Sequence, residues 1–244
     1  MNFVDINCDV GEGIGNEREL MPYIASCSIA CGAHAGDEKT IVDTIQLALQ
    51  HRVKIGAHPS FPDRENFGRK EMCIDPADLQ MSIENQILLV KHSTEQLGGE
   101  LHHIKAHGAL YNLTAVDKNM AQLFINAVKN TAVDVFLYVP YNSLIQELAL
   151  KNNLKIKIEA FADRNYNTDL TLVSRKNENA LITDKEIIIQ HLLKMIEEQK
   201  LISTDGVEVE IKADTFCVHG DNQNAIIILK YIAEKLNENG IKIA

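Results

Sequence analysis

The stretch LHHIKAHGALYN, residues 101–112, decides how the chain folds. It is too polar for an ordinary buried strand and too apolar for an ordinary loop. His103, Lys105 and His107 fall at every second position. Alternate residues of an extended chain share one face. Two imidazoles and an ammonium therefore point the same way, directly before Gly108. Such groups are buried only against partners, water or a ligand, because an unpaired polar group costs roughly 1–3 kcal/mol. A strand with this face belongs to a fold that has a polar interior.

Outward from this stretch, short apolar runs alternate with segments of helical period. Strands are expected over residues 2–9, 28–32, 53–59, 101–108, 133–140, 156–163 and 214–221. The first helix is expected over 39–51, where Ile41, Ile45, Ala48 and Leu49 recur at helical spacing. Asp75-Pro76 opens the next, to about Leu97, and Gly98-Gly99 ends it. Asp117 opens one to about residue 130, and Asn142 one to about 151. Thr183 with Glu186 reads as a capping box for a helix to about 199. The last helix runs from about Gln223 to Asn239, with Gly240 beyond it. Residues 203–213 form a small excursion with room for a strand pair.

Seven alternating β and α units imply parallel pairing. That many units close into a barrel more readily than they form an open sheet, a doubly wound sheet being the alternative. No repeat, low-complexity segment or Pro/Gly-rich linker divides the chain, so residues 1–244 read as one domain.

The net charge of -10 argues against nucleic acid and anionic membrane as partners. No apolar run approaches the ~20 residues of a bilayer span. The N-terminus has no basic segment before an apolar one, so no signal peptide is expected. The five cysteines are scattered, and Cys27 and Cys31 lack a zinc-knuckle spacing. They read as free thiols in a reducing cytoplasm.

In α/β folds the C-terminal ends of the strands carry the site. Here those ends are charged. Asp5, Asn7 and Asp9 share a face of the first strand, and Glu12 follows. His34 and Asp37 follow the second, and His58 ends the third. Glu159, Asp163 and Arg164 lie on and after the sixth, and His219 and Asp221 end the seventh. One strand-end His or Asp is ordinarily a cap or a hydrogen-bonded structural residue. Six of seven such ends converging is a shared polar cavity.

Three chemistries compete for it. A metal could use Asp5, Asn7 and Asp9, or His103 and His107, but the first segment has Val10 where a calcium loop needs Gly, and Lys105 stands between the histidines. Covalent catalysis lacks a Gly-x-Ser-x-Gly elbow, and Cys31 and Cys217 lie in apolar runs. General acid–base work on an anionic small molecule fits best, with Lys105, Arg69, Arg164 or Arg175 holding its negative charge.

These boxes together resemble the LamB/YcsF family. The resemblance rests on Asp5, Asn7, Asp9, Gly11 and Glu12, on Ile29 to Asp37, on Gly56 to Pro59, and on Phe67-Gly68-Arg69. It continues through Lys105 to Asn112, Phe161 to Tyr166 with Arg175 after it, and Val218 to Asp221. Ser28, Ala33, Asn66 and Ala106 depart from the family's pattern. The resemblance implies a distorted seven-stranded parallel (β/α) barrel of the glycoside hydrolase/deacetylase kind. It implies ATP-dependent opening of the 5-oxoproline lactam to L-glutamate, with magnesium and two partner proteins, subunits B and C. Asp9, Lys105, His107, Asp163 and His219 are then the expected catalytic set. Asp5, Asn7, Glu12, His34, Asp37, His58, Arg69, Glu159, Arg164, Arg175 and Asp221 are expected to bind substrate, and no tightly bound metal is expected. A metal-dependent carbohydrate deacetylase and a non-catalytic binding or regulatory barrel are the alternatives.

Overall fold

A computed structural model describes residues 2–222 and 224–244. In chain order the elements are β1 (Asn2–Val10), α1 (Glu17–Leu20), β2 (Ser26–Ala30), α2 (Glu38–His51), β3 (Lys54–His58) and α3 (Pro76–Gln96). There follow β4 (Leu101–Lys105), α4 (Gly108–Val116), α5 (Lys118–Thr131), β5 (Phe136–Pro140), α6 (Leu144–Lys151) and β6 (Ile156–Phe161). The chain ends with α7 (Lys185–Glu198), β7 (Lys200–Ile202), β8 (Glu208–Glu210), β9 (Thr215–His219), α8 (Ala225–Glu238) and β10 (Ile241–Ile243).

Strands β1 to β6 pair in sequence order, every pair parallel. β9 closes the ring, pairing with β6 and with β1, so seven strands make a closed parallel barrel. β10 adds in parallel to Asn2–Val4, at the start of β1. β7 and β8 form an antiparallel pair outside the barrel; β8 lies within the expected excursion over 203–213, and β7 just before it. Among the described residues no helix is long and apolar enough to cross a membrane.

The inward face keeps one parity around the ring. Asn7 lies opposite Ser26, Ser28 opposite Gly56, Gly56 opposite His103, Lys105 opposite Tyr138, and Glu159 opposite Thr215. The outward parity carries Ile6, Ile29, Ile55, Ile104, Leu137 and Phe216, all buried. They pack with helix residues such as Ile45, Ile87, Phe124 and Ile232 in one core. The hydrophobic layer is therefore a sleeve around the barrel, and the interior is polar. This is the partner that His103, Lys105 and His107 require.

Hydrogen bonds fill the lower interior. Ser26 and Thr215 donate to Asp5 at 2.6 and 3.0 Å, and Asn7 donates to Glu159 at 2.9 Å. His103 stacks on Tyr138 with ring centroids 4.0 Å apart. Its other side meets the backbone of Gly56, where a Cβ would lie 2.2 Å from Nε2. Gly56→Ala is therefore expected to lower stability by about 3 kcal/mol, the upper end of ordinary overpacking. His103→Ala in the same chain should restore part of it. A Gly56→Ala melting temperature equal to wild type would show that the ring moves aside freely.

Several boundaries differ from expectation: β4 ends at Lys105 rather than 108, and β5 begins at Phe136 rather than 133. β2 begins two residues early, because Ser26 and Ser28 face the polar interior and do not read as an apolar run. Ser143, not Asn142, caps α6 by accepting from Gln146 N; Asn142 turns the chain with φ 56°. Asp184, not Thr183, caps α7, accepting from Glu186 N and Ile187 N. The expected start of the last helix at Gln223 lies outside the described residues; α8 runs from Ala225. α4 is an element the sequence pattern does not announce. Gly108, with φ 57°, is no mere turn: it bends the chain from β4 directly into that helix.

Candidate active site

Lys105 is the centre of the site. It is 1 % exposed, and its Nζ lies 2.8 Å from Asp9 Oδ1 and 2.8 Å from Glu159 Oε1. It also donates to Asn7 Oδ1 at 3.3 Å and approaches Cys217 Sγ at 3.2 Å. Burial alone would strip its proton, but Asp9 foremost, with Cys217 and Glu159, holds the ammonium well above its ordinary value. Burial likewise works to raise the Asp9 carboxyl, yet His58 and Lys105 hold it well below the carboxylate range.

Above this ion cluster stand three imidazoles whose tautomers are fixed by their partners. His58 Nδ1–H donates to Lys105 O at 2.8 Å. His107 Nε2–H donates to Phe67 O at 2.9 Å. His34 Nδ1 contacts Ser60 Oγ at 2.9 Å; that hydroxyl gives its own proton to Phe61 O, so His34 must donate. The remaining nitrogens face inward. His58 Nε2 lies 3.3 Å from Asp9 Oδ2 and 3.0 Å from His107 Nδ1. His34 Nε2 and His107 Nδ1 lie 3.4 and 3.5 Å from Glu12 Oε1. Burial, then the neighbouring His58, pulls His34 down to about 3. Burial, His34 and His58 pull His107 well below its usual range. Burial, Asp9 and Asp221 push Glu12 well above its own.

Across the mouth, Asp163 grips His219. It accepts from His219 N at 2.9 Å and from Nδ1 at 2.9 Å. Burial opposes ionisation of Asp163, but His219 holds its carboxyl below the usual range. The His219 ring stacks on Phe161, centroids 5.2 Å apart, and keeps Nε2 as its acceptor. Arg69 pairs with Asp221, and Arg175 approaches the same carboxylate at 4.0 Å. Both guanidiniums are partly open to solvent.

The structure thus brings Asn7, Asp9, Glu12, His34, His58, Arg69, Lys105, His107, Glu159, Asp163, Arg175, His219 and Asp221 to one end of the barrel. It places three expected site residues elsewhere. Asp5 sits on the barrel floor, held by Ser26 and Thr215 and flanked by Lys54 and Lys157 at 3.5 Å each. Asp37 is the exposed N-cap of α2, accepting from Thr40 N at 2.8 Å. Arg164 is consumed by backbone, donating to Ala180 O at 3.2 Å and Val173 O at 2.6 Å. It pins the 162–184 segment in place. His103 lies deeper than Lys105, against Ser28 and Tyr138, and does not join His107.

Sequence reasoning missed Tyr111 and Cys217 as neighbours of the cluster. The hydroxyl of Tyr111 and Oε2 of Glu159 are buried without a hydrogen bond. Burial and the Glu159 charge raise that phenol well above its usual range. Cys217 alternates with Thr215 and His219 on the inward face of β9, a signal the sequence does contain. An outer groove of about 700 Å³, lined by Phe61, Met72, Leu113 and Met120, is separate from this cluster.

A family model described as LamB/YcsF family matches residues 4–244. A 5-oxoprolinase subunit from Shouchella clausii is 40% identical over 248 residues, covering 100% of this chain and 98% of that one. The crystal structure of a lactam utilization protein from Thermus thermophilus matches with a TM-score of 0.92 at 35% identity, covering 100% and 99% of the two chains. A peptidoglycan deacetylase from Bacillus subtilis matches with a TM-score of 0.50 at 10% identity, over 99% of this chain and 86% of that one, and shares the fold alone.

Proposed function

The chain belongs to the LamB/YcsF family, and from that premise we propose that its barrel mouth opens the lactam of 5-oxoproline to L-glutamate, as one component of an ATP-hydrolysing assembly with subunits B and C. The names of the relatives support a 5-oxoprolinase role within a multi-subunit enzyme. The observation that carries the chemistry is Asp163 fixing His219 Nδ1–H at 2.9 Å, which leaves Nε2 to take a proton. This is the arrangement of an oriented general base.

Asp9 is a poor base, because Lys105 and His58 keep it ionised. It serves as fixed charge, and His219 takes the proton from water. A five-membered lactam is a stable amide, so the amide oxygen first takes the γ-phosphoryl group of magnesium-bound ATP, and ADP leaves. Water then adds to the ring carbon as His219 removes its proton. The carbon–nitrogen bond breaks, and His219 returns the proton to the departing nitrogen. The glutamyl phosphate so formed loses phosphate to a second water. Arg69 and Arg175 face the mouth, where both approach Asp221, and hold the substrate carboxylate. Lys105 and Arg164, the other two cations expected to hold that charge, are already engaged.

The partners help to activate the lactam and this barrel opens it. The Gly-rich segment 11–17 lacks the Lys-Ser/Thr of a phosphate loop, and a charge of -10 repels a free polyphosphate at long range. A coupled assay for glutamate and ADP tests the reading. The chain alone should form little glutamate from 5-oxoproline and ATP, and addition of subunits B and C should restore it. Asp163→Asn in the assembly should lower glutamate formation at least ~10²-fold with the fold intact. Full activity from the chain alone would sink the division of labour, and an unimpaired Asp163→Asn would sink the assigned base.

A further inference from the structure

Three lone pairs, on Glu12 Oε1, His34 Nε2 and His107 Nδ1, meet at the top of the barrel with too few protons to separate them. The tautomers of His34, His58 and His107 are each fixed by an outward donor bond, to Ser60 Oγ, Lys105 O and Phe67 O. His34 Nε2 and Glu12 Oε1 are buried without a hydrogen-bond partner, though they lie 3.4 Å apart. His107 Nδ1 lies 3.5 Å from the same carboxylate oxygen. The His34 and His107 rings stack in parallel, with centroids 3.7 Å apart, so both present an edge to Glu12.

Protons do not resolve this arrangement. A proton on His58 Nε2 serves Asp9 or His107 and leaves His34 and Glu12 as they are. A proton on Glu12 serves one of its two imidazole neighbours and leaves the other facing a lone pair. One cation between the three atoms satisfies all of them. The spacing also suits it: donors held about 2.0–2.1 Å from a tetrahedral Zn²⁺ stand about 3.3–3.4 Å apart. All three atoms lie within 4.8 Å of one another.

We infer that Glu12 Oε1, His34 Nε2 and His107 Nδ1 form a site for one divalent cation of the Zn²⁺ class, with a coordination position left open. Two imidazoles and one carboxylate are a donor set for Zn²⁺ or Co²⁺, not for Ca²⁺ or Mg²⁺, which take oxygen. The expectation of no metal rests on Val10 in the first segment, which bears on a calcium loop alone, and on Lys105 standing between His103 and His107. In the fold His103 points to a deeper layer, and the charge of Lys105 is matched by Asp9 and Glu159. A cation bound there supplies Lewis-acid polarisation of a carbonyl or phosphoryl oxygen, or acidifies a water. The site goes beyond the lactam reading, and its test needs no turnover.

Purified protein, stripped with a chelator, is titrated with Zn²⁺ by calorimetry, and with Co²⁺ by visible absorption. One equivalent should bind, raise the melting temperature, and give Co²⁺ bands of a low-coordinate nitrogen–oxygen site. Glu12→Gln and His34→Ala should each weaken binding at least ~10²-fold, the upper scale of losses at metal sites. His92→Ala, on the exposed face of α3, should bind as wild type. If the variants fail to fold, the wild-type Co²⁺ spectrum still decides. Absence of saturable binding to folded wild type would overturn the site, as would binding that Glu12→Gln and His34→Ala leave unchanged.

Discussion

Lys105→Met is expected to cost the folded state about 3–5 kcal/mol, the scale of breaking a buried ion pair by removing one partner, and to lower turnover in the assembly about 10²–10³-fold. The reason is the company that Lys105 keeps. Asp9 and Glu159 each lie 2.8 Å from its Nζ, and neither side chain is exposed beyond 5%. Without the ammonium, two carboxylates share a water-poor interior, and one must take up a proton or the barrel must open. Either outcome raises the Asp9 carboxyl and changes the field at the mouth. Lys105→Met with Glu159→Gln should recover part of the stability, because one surplus charge goes with the lost one. It should recover no turnover. Urea denaturation and glutamate formation measure the two effects separately. A Lys105→Met midpoint within about 1 kcal/mol of wild type would mean that solvent reaches these carboxylates.

Acid should begin to destabilise the chelator-stripped protein from about pH 6.5 downward, above the range where ordinary carboxylates titrate. His34 is pulled to about 3, chiefly by burial, and His103 and His107 are pulled well below their usual range for the same reason. In the unfolded chain all three return to about 6.5. Between those values the unfolded chain binds protons that the native state refuses, so stability falls as pH falls. Each buried imidazole contributes up to about 1.4 kcal/mol per pH unit, so the three together contribute at most about 4 kcal/mol per unit. Their stabilisation is complete above about pH 6.5 and drains away toward their folded values. Glu12 works in the opposite sense, because its raised carboxyl binds a proton more readily in the native state. Asp9 and Asp163, held low, add their loss only below about pH 4, where unfolded carboxylates protonate. A net stability of about 5–15 kcal/mol is then exhausted between roughly pH 5 and 3. Melting temperatures measured from pH 7.5 to 4 check this. A flat profile down to pH 5 would show that the three imidazoles take up protons without unfolding.

Much of this was legible in the sequence, and the gaps have physical causes. Period-two alternation at 103, 105 and 107 assigned a face correctly, but alternation carries no depth. It could not tell that His103 stacks on Tyr138 below Lys105, or that Asp5 lies on the floor while Asp9 lies at the mouth. Asp37 and Arg164 looked like site residues because charge near a strand end is ambiguous. One caps a helix and the other binds backbone carbonyls. α4 escaped because GALYNLTAV has no clean polar stripe and opens on a glycine. The group of Glu12, His34 and His107 spans three separate connections, and its convergence depends on barrel closure, which no local spacing encodes.

That closure also sets a clock on synthesis. β1 is the first of the seven barrel strands to be made, yet its neighbour β9 is the last: Asp5 waits for Thr215, and Asp9 for His219. At roughly 5–20 residues per second on the ribosome, the interval is about 10–40 s. Throughout it one edge of β1 is an unpaired template, the kind that captures strands of other chains. Asp5, Asn7 and Asp9 alternate along that strand, so the exposed segment is charged and well hydrated while it waits. The same carboxylates that later sit inside the barrel are therefore expected to protect the nascent chain. Neutralising Asp5 and Asp9 together should raise the fraction recovered as aggregate from in vitro translation, besides disturbing the finished barrel, where Asp9 pairs with Lys105.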